Sequence, residues 1–175
     1  MFICGSSILT AAELKWNFEE NANEPKWVSV NDTVMGGRSK GGPEVKEGFL
    51  HFSGTLSLEN NGGFSSIRTR DFSGDLSDSE GLVLRVLGDG RTYQLRVSTD
   101  ATYRRSRIAY RADFETKKGE WTEVKVPFSS MKPGWRGMKL KGPELDLTKV
   151  TEIGILLGDK KPGEFALKVD WVKSY

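Results

Sequence analysis

The feature that most constrains this chain is side-chain alternation with a period of two, repeated in short runs. Phe165, Leu167, Val169 and Trp171 fall on one side of Phe165 to Trp171, with Ala166, Lys168 and Asp170 on the other. Tyr93, Leu95 and Val97 alternate with Gln94, Arg96 and Ser98, and Thr122, Val124, Val126 and Phe128 alternate in the same way. Ile153, Ile155 and Leu157 share a face as well. An extended chain points successive side chains to opposite faces, so this pattern predicts half-buried antiparallel strands.

Leu82 to Leu87 is almost continuously apolar and reads as a central strand. Phe49 to Leu58 and Phe64 to Arg70 read as strands joined through Glu59-Asn60-Asn61-Gly62-Gly63, whose Asn-Gly and Gly-Gly pairs supply positive φ angles. Further turn clusters stand at Ser73 to Asp75, Gly88 to Gly90, Lys117 to Gly119 and Gly158 to Gly163. Short strands with Gly, Pro and Asp punctuation predict an all-β sandwich or barrel. Ser129 to Gly142, with Pro133, Gly134, Gly137 and Gly142, reads as a long loop, and Leu145 to Lys149 as one helical turn.

The 175 residues fit one domain. Met1 to Glu13 is mildly apolar and ends in small residues, so residues 1–13 read as a leader or truncated signal segment ahead of a domain over residues 14–175. A formal net charge of +2, from 26 basic and 24 acidic residues, gives no general case for a nucleic acid partner. No apolar run approaches the roughly 18 residues that span a bilayer. A soluble, cytoplasmic protein is expected ahead of an exported one. With Cys4 alone no intrachain disulfide can form, and Cys4 with His51 does not make a zinc site.

The densest motif is "NDTVMGGRSKGG", residues 31–42. A phosphate loop needs its glycines four apart before Lys and Ser or Thr, between a strand and a helix. Here the order is wrong and Pro43 and a strand follow. The dinucleotide pattern fails for the same reason, and the alternating acidic ligands of an EF-hand are missing. The remaining reading is structural. Asn31 or Asp32 bonds its own backbone to start a turn, Val34 and Met35 pack inward, and Gly36-Gly37 admits a close neighbour or a bulge.

Candidate catalytic groups are few. His51 lies within a strand, no serine sits in a nucleophile elbow, and Asp89 between Gly88 and Gly90 reads as turn chemistry. No cofactor and no metal ligand set is legible. Calcium ligands on sandwich loops have no fixed spacing, which leaves a structural Ca²⁺ open. One stretch suggests binding: Tyr103-Arg104-Arg105-Ser106-Arg107-Ile108-Ala109-Tyr110-Arg111 is basic with interleaved tyrosines. On a strand, Arg105, Arg107 and Arg111 would share a face able to meet an anionic ligand or acidic partner, and the tyrosines could stack on sugar rings. Trp135 in its Gly/Pro-rich loop is the best candidate for an exposed tryptophan; the competing reading is a solvated sheet face and buried aromatics.

Trp27-Val28-Ser29-Val30-Asn31-Asp32-Thr33-Val34-Met35-Gly36-Gly37-Arg38-Ser39 resembles the signature of the complex I intermediate-associated protein family. The resemblance continues through Phe52 to Arg68, Gly88 to Tyr93, Trp121 to Phe128, Arg136-Gly137 and Ile153-Gly154. It implies a galactose-binding-domain-like jelly-roll β-sandwich of antiparallel strands with little helix, over residues 14–175. It implies no catalytic residues and a chaperone-like role, binding a protein partner such as a respiratory-complex assembly intermediate. The start of the chain is not Arg/Ser-rich, so a compact, bacterial-type member is expected. The resemblance marks Trp27, Asn31, Asp32, Met35, Gly36, Gly37, Gly62, Gly63, Phe64, Asp89, Gly90 and Tyr93 as fold-defining or shared-surface residues. The expected contact face for a protein partner is Arg105, Arg107 and Arg111. The alternative is a carbohydrate-binding module, with Tyr103, Tyr110, Trp135 and Arg68 as ligand contacts.

Overall fold

A computed structural model describes residues 13–19 and 24–175, so the leader expected over residues 1–13 lies outside the described residues apart from Glu13. Among the described residues, thirteen strands appear in chain order: β1 (Lys15–Trp16), β2 (Lys26–Ser29), β3 (Lys40–Lys46), β4 (Phe49–Leu56), β5 (Ser65–Arg70), β6 (Gly81–Leu87), β7 (Thr92–Tyr103), β8 (Ser106–Glu115), β9 (Trp121–Pro127), β10 (Lys132–Trp135), β11 (Met138–Lys139), β12 (Glu152–Leu157) and β13 (Gly163–Ser174). The only helical pieces among the described residues are 3-10 turns at Asp32–Met35, Glu59–Asn61, Phe128–Ser130 and Leu147–Lys149, the last inside the stretch read as one helical turn.

The strands form two antiparallel sheets. One runs β3-β4-β13-β6-β9, with β1 also paired to β13; the other runs β11-β10-β8-β7-β12-β5-β2. The apolar sets of the alternating strands face the gap between the sheets, except at the end of β13, where a register shift after Val169 leaves Trp171 half-exposed outside the core and buries Val172 in its place. Leu50, Phe52, Leu84, Val86, Leu167 and Val169 from the first sheet meet Ile67, Tyr93, Leu95, Val97, Ile108, Ile153 and Ile155 from the second, all essentially fully buried. Each side chain of this size contributes about 1.5–3 kcal/mol on burial. Phe52 ties the layers together: its ring stands 4.9 Å from Phe165 on its own sheet and 6.2 Å from Tyr93 on the other.

The continuous apolar run at Leu82–Leu87 is interior, between β13 and β9. Phe49–Leu58 and Phe64–Arg70 do contain β4 and β5, but the two strands enter different sheets. The turn between them therefore crosses the sandwich. Asn60 (φ 55°), Asn61 (φ 57°) and Gly63 (φ 121°) take the left-handed angles that the crossing needs.

Two segments differ from the sequence expectation. Ser129–Gly142 is not one long loop: β10 and β11 form a hairpin on the sheet edge, turning at Arg136 (φ 45°) and Gly137 (φ 83°). Its Pro and Gly content masked a strand because Pro and Gly are tolerated at sheet edges. The basic stretch is not one strand either. Arg104 (φ 48°) and Arg105 (φ 64°) are the two central residues of the β7–β8 hairpin. Such turns favour Asn or Gly, so two arginines give no turn signal. Arg104 is held by its guanidinium lying 5.4 Å from the Tyr103 ring and 5.7 Å from Trp135.

Candidate functional site

Residues 31–39 form a rigid corner built around one carboxylate. Asp32 is fully buried and accepts hydrogen bonds from the Ser39 amide (2.9 Å), the Ser39 hydroxyl (2.6 Å), the Gly63 amide (2.7 Å) and the Phe64 amide (3.3 Å). Burial alone would raise its pKa, but these donors outweigh it and hold the carboxyl below the usual aspartate value. Asn31 donates to the Gly41 carbonyl at 2.9 Å and accepts from the Ser65 hydroxyl at 2.7 Å. Neither residue caps its own turn as expected; Asn31 ties β3 to β5, and Asp32 fastens the segments just before them.

Glycines 37 and 62 make room for the carboxylate, since a Cβ on either would collide with Asp32. Val34 and Met35 do not pack inward. They are 70% and 58% exposed, because Asp32 takes the inward position of the 3-10 turn.

A second polar lock closes one end of the sandwich. The Arg91 guanidinium meets Asp159 through two hydrogen bonds, of 2.9 and 2.6 Å, and also donates to the carbonyls of Glu164 (3.1 Å) and Lys161. Asp89 accepts from the Tyr93 hydroxyl at 2.9 Å and from the Ala166 amide at 2.8 Å. Asp89 and Gly90 (φ 88°) thus form a turn that reaches across to β13, and Tyr93 is core. Sequence reasoning did not single out Arg91.

The outward face of the seven-stranded sheet is where charge collects. Cross-strand partners point to the same side of a sheet. The register therefore lines up Arg68 on β5, Gly154 on β12, Arg96 on β7, Arg111 on β8 and Lys132 on β10 in one row across five strands. Arg70 and Lys26 pair beside this row on one edge, and Arg107 stands four residues before Arg111. The carboxylates on the face are few: Glu152, Asp113, Glu115 and, at the irregular end of β7, Asp100, which pairs with Lys149 at 3.4 Å. Glu152 is shared, 3.4 Å from Arg68 and 3.5 Å from Arg107, and Asp113 accepts from Gln94 at 2.9 Å. Arg96 has no ion pair or hydrogen bond among the described residues, and its Nε is enclosed without a partner. Desolvation, with Arg111 and Arg68 nearby, pulls the Arg96 pKa down to about 10 against the opposing pull of Glu152.

The structure divides the expected contact residues. Arg68, Arg107 and Arg111 lie on this face; Arg105 does not, being at the hairpin tip. Tyr110 is 1% exposed and donates its hydroxyl to the carbonyls of Pro143 (3.0 Å) and Glu144 (3.1 Å), so it offers no stacking surface. Trp135 is half-buried, edge-on to Tyr103 at 5.3 Å and covered by Arg136 at 5.1 Å. Tyr103 faces the same side as the core. His51 stands on the other sheet, edge-on to Phe49, and burial with Lys168 and Lys46 nearby lowers its pKa. Among the described residues no group of three or more His, Cys, Asp or Glu gathers to hold a metal, and no helix is long and apolar enough to cross a membrane.

Two antiparallel sheets over one apolar core, with its polar groups tied up in corners, define a jelly-roll β-sandwich of the kind found in carbohydrate-binding modules. The family 11 carbohydrate-binding module of a Clostridium thermocellum cellulosomal cellulase superposes with a TM-score of 0.66 at 15% identity, covering 94% of this chain and 95% of that one. That likeness concerns the fold. The sequence pattern of the family "Complex I intermediate-associated protein 30 (CIA30)" matches residues 16–169, and the chain belongs to this family. The mitochondrial Complex I intermediate-associated protein 30 of Mus musculus is 31% identical over 94% of this chain and 56% of its own length, so the chain spans little more than half of that relative. An uncharacterized Schizosaccharomyces pombe protein is 27% identical over 89% of this chain and 80% of its own length.

Proposed function

We propose that this chain is a non-catalytic binding module with a complex I assembly-factor-like role, and that it holds an acidic surface of a protein partner on the outward face of the seven-stranded sheet. The observation that carries this reading is the charge imbalance on that face. Arg68, Arg96, Arg107 and Arg111 are concentrated there around the single shared carboxylate of Glu152, in a chain whose net charge is only +2. A concentrated positive face steers an acidic partner and fixes its orientation. Family membership supports the assembly role. The buried or structural engagement of Asp32, Asp89, Asp159 and Tyr93 supports a binding module over an enzyme.

The carbohydrate reading rests on the shared fold. A neutral sugar is normally held by aromatic faces, and the outward positions of β5, β7, β8 and β12 carry none, with Tyr110 turned into the core. That observation favours the protein partner.

The test is capture from the source organism with mild crosslinking, comparing the native chain with an Arg107→Glu, Arg111→Glu variant. Enrichment of a defined respiratory assembly intermediate, lost in the variant and weakened by added salt, is expected. Equal recovery by the variant removes this face as the contact. A mixed-linkage glucan bound with no protein recovered replaces the reading with the sugar module.

A further inference from the structure

Most of the arginines on the outward face have an occupation. Arg68 and Arg107 share Glu152. Arg111 lies flat over Gly134, its Cζ 2.8 Å from where a Cβ at that position would stand, and reaches the Gly137 carbonyl at 3.5 Å. Arg96, at the middle of the row and of the sheet, has none. Its side chain is half-buried with Nε enclosed and unbonded, and a charge partly drawn out of water without a partner costs free energy. The surroundings of Arg96 are also shaped. Gly154 stands directly opposite it on β12, so there is no side chain between Arg96 and Arg68. With strands spaced about 4.8 Å apart, this leaves a slot roughly 10 Å wide between the two arginine stems. Packing enforces the glycine: a Cβ there would come within 2.8 Å of the Ile67 carbonyl oxygen and 3.2 Å of the Arg68 Cβ.

We propose that Arg96 is the seat for a carboxylate from an Asp or Glu side chain of the protein partner, received over Gly154 between Arg68 and Arg111. This rests on the protein-binding reading above and names the partner's contacting chemistry. A guanidinium presents paired N–H donors that match the two oxygens of a carboxylate, which a lysine cannot do. The position has the form of an interface hot spot: one half-buried arginine at the centre, ringed by charged groups that exclude water once covered. Glu152, anchored between Arg68 and Arg107, marks the negative side of the slot. It admits a singly charged group on the Arg96 side more readily than a dianion such as phosphate. The Arg96 Nε is already enclosed, which limits the rotamer freedom lost on binding.

The experiment uses the whole chain and synthetic probes, so it reads the seat whether or not a natural partner is recovered. Calorimetric titrations with a hexaglutamate peptide, a heparin-derived hexasaccharide and a mixed-linkage β-glucan tetrasaccharide are run on native, Arg96→Met and Arg96→Lys proteins. Binding of hexaglutamate is expected, weakened about tenfold or more by Arg96→Met and substantially by Arg96→Lys. The melting temperature of Arg96→Met should equal or exceed the native value, because a half-buried charge without an ion-pair partner has been removed. A purely structural arginine would show the reverse: a lower melting temperature and unchanged peptide affinity. That result, or no peptide binding at all, overturns the proposal. Binding of the heparin fragment or the glucan in place of the peptide overturns it in favour of a sugar ligand. If Arg96→Met does not fold, the Arg96 Nε–H resonance decides: it shifts on adding hexaglutamate, or the seat is elsewhere.

Discussion

The Asp32 carboxylate accepts the backbone N–H of Gly63 at 2.7 Å, bridging 31 residues to fasten the 3-10 turn at Asp32–Met35 against the crossing that links the two sheets. Removing that carboxylate leaves the Ser39 and Gly63 amides without their acceptor in a buried place. Asp32→Ala should cost about 3 kcal/mol. For a domain of this size the midpoint of thermal unfolding should fall by roughly 6–12 °C. Calorimetry checks this, and a change under 2 °C, within about 1 kcal/mol, would show that the corner does not need the carboxylate.

The neighbouring residues should divide sharply. Gly37→Ala pushes a methyl into the Asp32 carboxylate and should cost about 2 kcal/mol, while Gly36→Ala meets open space but sits at φ 87° and should cost about 1 kcal/mol. Val34→Ser with Met35→Ser should leave the melting temperature within a degree or two, since both side chains are in solvent. A large loss from the serine pair would mean that these residues are covered in solution.

Arg91 and Asp159 are only 12% and 9% exposed in their side chains. Arg91→Ala leaves the Asp159 carboxylate uncompensated and should destabilise by about 3 kcal/mol. It also frees the carbonyls of Lys161 and Glu164, so amide hydrogen exchange should rise first between residues 158 and 164. Uniform exchange across the chain would argue against a local lock.

Acid should weaken the fold in two stages. Burial, with Lys168 and Lys46 nearby, holds the folded His51 pKa below its ordinary 6.5, so folded His51 resists protonation. Its contribution is full above about pH 6.5 and is lost as pH falls through its folded value. Asp32 and Asp159 are both held below the ordinary aspartate value of 3.8 despite burial, by the Ser39 and Gly63 donors and by Arg91 respectively. Their contribution is full above the unfolded carboxylate value and is lost as pH drops through the folded one. Melting temperature should therefore decline gently below pH 6.5 and steeply below about pH 4. His51→Gln should remove the first slope and Asp32→Asn should flatten the second.

Several site features were legible because they depend on neighbours along the chain. Arg107 and Arg111 are four residues apart, an even spacing, and so share a strand face. The Asn-Gly and Gly-Gly pairs at 61–63 marked a turn because left-handed angles have a residue preference. The arginine hairpin at 104–105 was missed because a tertiary pairing, not a turn residue, imposes its angles. The inward reading of Val34 and Met35 failed because hydrophobicity was the only local cue. A buried acid with four donors from residues 39, 63 and 64 displaced them.

The sequence by itself determined the all-β class, most of the core set and the family. Alternation is a property of consecutive residues, and the Trp27–Ser39 motif is long enough to be specific. Only the tertiary structure decided that Arg68, Gly154, Arg96 and Arg111 form one row, that Asp32 is a buried hub and that Arg91 closes the end of the sandwich. Strand register and the burial of charge are set by segments dozens of residues apart. Their hydrogen bonds form only when the sheets assemble, and no local pattern of side chains encodes which distant partner each will meet.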